Sequence, residues 1–303
     1  MLSALLIVGV LLLAGHFAYR TQRFPESTAD VLNRFIIDVC LPATILRLVP
    51  KLEFQPALVT LAIAPWAIAL FAYGFARATA HVLGLDRTMA TALFLVTALG
   101  NTSFLGFPMI SALVGEDAIP LASVYDQLGS FLLLSLVAPV MLSSLTTGSR
   151  PTPKDLLKRV ILFPPFIALS IAVLPFPLPS FFDPLLSAAS TPLVALAMFS
   201  VGFKLRFSTP EPFGIFAWGL VLKLAILPAL SLVGCLLFGV PQDILIVVVL
   251  ETAMPTMVSI GALLMSYGVV PELVAAFVGW GLVVSLITVP TWAWVLFRIL
   301  PGP

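Results

Sequence analysis

Apolar runs of about 20 residues, the length of a helix that crosses a hydrocarbon core of about 30 Å, recur from one end of this chain to the other. Ten can be marked, at 2 to 19, 31 to 48, 57 to 76, 88 to 113, 119 to 142, 159 to 176, 184 to 204, 213 to 238, 242 to 266 and 273 to 298. Charged or Pro/Gly-rich turns separate them, and no stretch is left over for a soluble domain. The period-two alternation of a membrane barrel strand is absent. Of the 303 residues, 60% are hydrophobic and 10% charged, against about 45 to 50% and about 25% in an ordinary soluble domain. The expectation is an all-α integral membrane protein with ten transmembrane helices.

What remains of the composition mostly excludes. Net charge is +1 with no Lys/Arg-rich tract, so nucleic acid is not an expected partner and the lipid bilayer is. Cys40 and Cys235 fall inside spans and read as small buried apolar side chains rather than a disulfide. The first run lacks preceding positive residues and a small-residue cleavage site, and reads as a retained helix. No HExxH, GxSxG or paired-cysteine motif occurs, so no enzyme is expected, although Asp126 and Glu251 are two carboxylates that an embedded enzyme would need. Lys and Arg orient the spans. One side carries Arg20, Arg23, Arg34, Arg77, Arg87, Arg150, Lys154, Lys158, Arg159, Lys204 and Arg206, the other only Arg47, Lys51 and Arg298. With the richer side in the cytoplasm, both termini lie outside. The basic loop at 147–158 then reads as a cytoplasmic linker between a first unit, 1–146, and a second, 159–303.

The two units resemble each other. "LPAT" from Leu41 lines up with "TPLV" from Thr191. Placing Gly84 on Gly239 superposes Gly100 on Pro255 and Asn101 on Thr256, and Gly115 then falls opposite Gly268 within a few residues. Each unit has five spans, an odd number, so two units joined end to end sit in opposite orientations. Such inverted repeats, with matched interrupted helices, are the plan of secondary transporters.

The interruptions lie in spans four and nine. "LGNTSFLGFP" removes bulk at Gly100 and a backbone donor at Pro108, and in "ETAMPT" Pro255 frees the carbonyl one turn earlier, at Glu251. A helix restarting after a break presents unpaired N–H groups and roughly half a positive charge, which suits a carboxylate. Asn101, Thr102 and Ser103 are expected to begin one restarted half and Thr256 the other. Ionisable residues inside spans cost on the order of 3 kcal/mol at a helix centre. Glu251, one turn before Pro255, shares the break with freed carbonyls, an oxygen cage for a hard cation or a proton; the bland alternative is an ion pair with Lys223. Asp126 brings Tyr125, Gln127 and Ser130, with Ser130 on its own helix face. Asp38 follows Arg34 by four residues and reads as a local pair. His16 and His81 read as interfacial packing, and Pro42 and Pro192 as bends in spans two and seven.

"GNTSFLGFP", "YD" at Tyr125 and "AMP" at Ala253, on ten spans with outside termini, resemble the auxin efflux carrier family, whose bacterial members include malonate and malate transporters. The resemblance implies a fold shared with bile-acid sodium symporters and sodium/proton antiporters. In it a scaffold and a transport domain each draw on both repeats, and the broken helices four and nine cross. It implies a substrate carboxylate at Asn101, a second crossing at Pro255, and a role for Glu251 similar to that of an acidic sodium-holding residue in the bile-acid group. The plant carriers that this chain resembles usually have proline where Gly100 stands. The short loop between spans five and six fits a bacterial member in the inner membrane, and a homodimer through the scaffold domain fits the family.

The function expected is secondary active transport of a small organic anion by alternating access. Gly100, Asn101, Thr102, Ser103, Pro255 and Thr256 would meet the substrate. Glu251, Asp126, Asn101 and Ser130 would meet a coupling ion, Na+ or H+, with Na+ at Glu251 and Asp126 if it binds. No other cofactor is expected. The alternatives are a sodium-coupled symporter of the bile-acid type and an anion channel or receptor on the same fold.

Overall fold

The computed structural model describes residues 2–53, 55–145, 151–174, 179–209 and 212–300. In chain order the helices are α1 (Leu2–Arg20), α2 (28–48), α3 (Pro56–Leu83), α4 (Arg87–Ala98), α5 (Thr102–Leu113), α6 (Glu116–Ser143), α7 (Pro153–Ile161), α8 (Pro164–Ala172), α9 (Ser180–Lys204), α10 (Phe213–Leu237), α11 (Gln242–Thr252), α12 (Val258–Ser266) and α13 (Pro271–Ile299). Among the described residues there is no strand, only one isolated antiparallel bridge between Gly100 and Thr256. The all-helical expectation is met. Five helices, α3, α6, α9, α10 and α13, are continuous, long and apolar enough to cross a membrane. Expected spans four and nine are each split, into α4 with α5 and α11 with α12.

Span six departs from expectation. Pro153–Ile161, across the expected start of the span at 159, forms a separate helix, α7, and a second helix, α8, starts at Pro164. The reason is local. Thr152 caps α7 by accepting from Asp155 N at 3.2 Å, and the Asp155 carboxylate accepts in return from Thr152 N at 3.3 Å. The Thr152 hydroxyl also donates to the Asp155 carboxylate at 2.6 Å, and this bond, followed by the one from Thr152 N, holds the Asp155 carboxyl below its ordinary pKa. Pro164 and Pro165 then forbid continuation, because a residue before proline avoids the α region and each proline lacks a donor. Arg150 with the rest of 147–150, and the end of span six at 175–176, lie outside the described residues.

Prolines also set the texture of the long helices. Four π-helical turns, Ile36–Cys40, Thr102–Gly106, Leu133–Val137 and Leu222–Ile226, each end two residues before a proline: Pro42, Pro108, Pro139 and Pro228. A proline obstructs the carbonyl four residues earlier, and a widened turn gives that carbonyl room. In hydrocarbon the freed carbonyl still needs a donor. For Pro228 that carbonyl is Leu224 O, and the Trp292 indole on α13 donates to it at 2.8 Å. A fifth π turn, Asp126–Ser130, has no such proline. It is held from outside: Trp66 on α3 donates to Leu128 O at 2.9 Å, and the Pro65 ring lies where a side chain on Gly129 would stand.

Packing follows from small residues and from burial. α1 lies along α9 so closely that Gly15 faces the Phe199 backbone and Gly202 faces the Leu12 backbone, with no room for a Cβ at either. Small residues of this kind let membrane helices approach. α2 packs on α8 and α9, while α3, α4, α6, α10 and α11 pack among themselves, and α5 touches both α1 and α9. The broken helices are apolar all round and buried all round: Ala90 to Thr97 of α4 and Ile244 to Thr252 of α11 are all buried. Asp38 pairs with Arg34 at 3.5 Å, and Cys40 and Cys235 are buried free thiols, as expected.

Replacing Trp292 with Phe keeps the ring and strands the Leu224 carbonyl. The expected loss is about 0.5 to 1.5 kcal/mol, seen as a lower thermal midpoint in detergent, whereas the same change at the exposed Trp294 should leave the midpoint unmoved.

Candidate functional site

The two interruptions meet. Asn101 N donates to Pro255 O at 2.8 Å and Met257 N donates to Leu99 O at 3.0 Å, a reciprocal pair that makes a short antiparallel bridge through Gly100 and Thr256. In this antiparallel bridge Gly100 faces Thr256, Leu99 faces Met257 and Asn101 faces Pro255. Gly84 and Gly239 both adopt left-handed φ, +64° and +61°, and Leu85 N and Val240 N reach back to Ala80 O and Cys235 O, each at 2.9 Å.

Pairing across the break takes up groups that a lone kink would leave free. The Glu251 carbonyl, expected to be orphaned by Pro255, accepts from Met254 N at 3.2 Å. Thr256 does not begin a helix; α12 starts at Val258, and the Thr256 hydroxyl donates to Val96 O near the end of α4 at 2.8 Å. Thr102 and Ser103 do stand in the first turn after the break, with Asn101 before them. Asn101 O accepts from Leu105 N and Gly106 N, whereas the N–H groups of Thr102, Ser103 and Phe104 have no backbone acceptor among the described residues. That is the bare helix start expected of an anion-facing end.

A buried acidic group lies beside this start. Asp126, 1% exposed, accepts from the hydroxyl of Thr102, from Ser103 Oγ at 2.7 Å and from Gln127 Nε2 at 2.6 Å. Ser130 is buried but gives Asp126 no hydrogen bond, because the π turn carries it away from the place an α-helical turn would give it. Glu251, also 1% exposed, has neither carboxylate oxygen bonded. It lies against Gly106, where an added Cβ would come within 2.5 Å of Oε2. Tyr125 and Thr252 share a hydrogen bond of 3.0 Å between their hydroxyls. Asp126 and Glu251 are the two carboxylates a cation could use; no group of three or more His, Cys, Asp or Glu occurs among the described residues.

Lys223 does not form the ion pair with Glu251 that the sequence left open: no contact within 4.0 Å joins them. A Cβ on Gly100 would meet Lys223 Nζ at 3.2 Å, so the ammonium lies beside this glycine.

Asn101 is 1% exposed and its Nδ2 is unbonded. It lines a narrow cleft with Asn33, Phe104, Ser200, Lys204, Val258 and Ser259. Ser200 Oγ donates to Asn33 Oδ1 at 2.5 Å and to Ala29 O at 3.2 Å, and Lys204 pairs with Asp30 at 2.6 Å. Asn33, Ser200, Lys204 and Ser259 were not singled out in the sequence. The available signal was polar spacing: Asp30 with Asn33, and Ser200 with Lys204, share helix faces.

Bilayer-length apolar helices around two buried, polar helix breaks that meet define an integral membrane protein. Comparison with known proteins gives the family: residues 1–293 match the membrane transport protein family, the family of the auxin efflux carriers, and the chain belongs to it. An uncharacterized transporter of Methanocaldococcus jannaschii is 28% identical over 317 residues, covering 98% of this chain and 99% of the relative. Another, of Methanothermobacter thermautotrophicus, is 26% identical over 305 residues, covering 97% and 98%.

Gly106→Ala should press a methyl into the Glu251 carboxylate and cost about 1 to 3 kcal/mol. Adding Glu251→Ala should recover at least about 1 kcal/mol of that loss in a double-mutant cycle of thermal unfolding; strict additivity would mean that the two residues do not press on each other.

Proposed function

We propose that the protein is a secondary active carrier of a small organic anion bearing a carboxylate, working by alternating access. In this reading the chain forms two inverted five-helix repeats, and expected spans four (α4 and α5) and nine (α11 and α12) cross inside the membrane. Scaffold and transport domains each draw on both repeats, and a homodimer forms through the scaffold. The cell membrane is a bacterial inner membrane, and both termini lie outside. Membership of a transport family supports a carrier over an embedded enzyme.

The observation that carries the reading is Asn101. A buried amide donor without a protein acceptor is costly. This one stands at the helix start whose N–H groups of Thr102, Ser103 and Phe104 are also free, beside the restart of α12 at Val258. An anionic oxygen there satisfies the amide and the helix end together. Gly100, Pro255 and Thr256 serve it by holding the two ends in register rather than by touching it. Glu251 and Asp126 would hold the coupling ion, Na+ or H+. Binding that ion would neutralise the unbonded Glu251 carboxylate and let the crossing change the side it faces.

Uptake and counterflow of a panel of organic acids into proteoliposomes test this, under imposed Na+ or H+ gradients. The wild type should show saturable exchange. Asn101→Ala should lose at least about tenfold in apparent affinity, the worth of about 1.4 kcal/mol. Flux without saturation or counterflow would mark a channel instead, and undiminished exchange in Asn101→Ala would remove the site.

A further inference from the structure

The chain turns back from α3 into α4, and the end of α6 packs beside them. A small pocket at that end, about 80 Å³, is lined by Arg77 of α3, Arg87 and Thr91 of α4 and Ser144 just after α6, and by Tyr73 and Met141, each about a turn further along its helix toward the interior. Arg87 is held in place. It donates to Ser144 Oγ at 3.0 Å, and Ser144 in turn donates to Met141 O at 2.6 Å. Neither arginine has an acidic partner within 4.0 Å among the described residues, and Arg77 makes no hydrogen bond with any of them. Asp86, the carboxylate next to Arg87 in the chain, instead caps α4 by accepting from Met89 N at 2.7 Å. Two cations thus share one pocket with no anion to balance them. Tyr73 and Met141 also line an apolar groove of about 280 Å³, with Trp66, Leu70, Phe94, Leu133 and Val137, so the pocket and the groove are continuous. The Phe94 ring meets Tyr73 edge-on at 5.4 Å and fixes the junction. From Arg77 back to Trp66 the rise along α3 is about 16 Å, close to half of a hydrocarbon core of about 30 Å.

We propose that this pocket and groove bind one anionic phospholipid, drawn from the leaflet on the Lys/Arg-rich side, which the sequence reads as cytoplasmic. Its phosphate lies between Arg77 and Arg87, and an acyl chain runs along the groove to Trp66. Arginine suits the first part, because a planar guanidinium offers phosphate oxygens two parallel N–H groups. The groove suits the second, since its length matches the chain of one leaflet and a free phosphate ion would gain nothing from it. A zwitterionic lipid fits less well, because its own ammonium brings more positive charge to the two arginines. Basic pockets between membrane helices on the inner side take anionic headgroups in this way. Bound there, the lipid ties α3 to the first turn of α4, whose other end is the break at Gly100. The site is separate from Asn101 and does not depend on the carrier reading.

The test is thermal unfolding of the purified full chain in a neutral detergent, with phosphatidylglycerol, phosphatidylcholine or glycerol phosphate added at one concentration. Phosphatidylglycerol should raise the wild-type midpoint by at least about 3 °C, and the other two should not. Arg77→Gln combined with Arg87→Gln should lose at least half of that rise. Arg77→Gln alone breaks no bond of the structure and carries the test if the double variant does not fold. Arg20→Gln combined with Arg23→Gln removes the same charge outside the pocket and should keep the full rise. Val137→Phe narrows the groove at unchanged charge and should also lose at least half. Native mass spectrometry gives a second readout, in which the wild type retains one phosphatidylglycerol under conditions that strip the arginine variants. An equal rise with phosphatidylcholine overturns the proposal, as does a rise with glycerol phosphate, which would assign the pocket to a soluble phosphate ester. So does an equal loss in the Arg20 and Arg23 variant, or a Val137→Phe variant as responsive as the wild type.

Discussion

A peptide group inside hydrocarbon has no water to turn to, and this structure is organised around that constraint. At several places where the backbone ladder is interrupted, another part of the protein supplies the partner. Trp292 serves Leu224 O, Trp66 serves Leu128 O, and the two interruptions at 99–101 and 255–257 serve each other. The last case is the most consequential. Two isolated kinks would each strand several groups, whereas two kinks facing each other in antiparallel register pair them and need only to be kept from lipid. The full burial of α4 and α11 provides that shelter.

What pairing leaves over is then informative. Leu99 O, Asn101 N, Pro255 O and Met257 N are paired at the bridge, yet Asn101 Nδ2, both oxygens of Glu251 and Gln127 Oε1 are buried without partners. Folded proteins seldom tolerate such groups without a reason. Around the two breaks they divide by sign: donors at the start of α5 and acceptors on Glu251. Asp126 plays a quieter part, since three donors already hold it and tie α6 to the start of α5.

Much was legible in the sequence because the signals act over short distances. Span length follows from bilayer thickness, and the positions of breaks follow from Gly100, Pro108 and Pro255. The end of α3 and that of α10 follow from Gly84 and Gly239, whose left-handed backbone is the stop that glycine permits. The split of span six was equally local, in the pair Pro164 and Pro165, but a hydropathy window runs across it. The cleft residues Asn33, Ser200 and Lys204 escaped because each is an ordinary residue on its own helix. Only the packing of α2 on α9 turns them into one wall.

The sequence by itself determined an all-helical membrane chain, where its helices stop, and which of them carry polar residues at a cost. These are consequences of bonds within a few residues of each other and of transfer from water to hydrocarbon. The tertiary structure alone decided that Gly100 faces Thr256, that Glu251 lies on Gly106, and that Lys223 comes beside Gly100. Those contacts join residues that lie far apart in the chain. Their geometry depends on how close two helices can come and how far each is rotated, which glycines, π turns and indole donors adjust by amounts that no periodicity records.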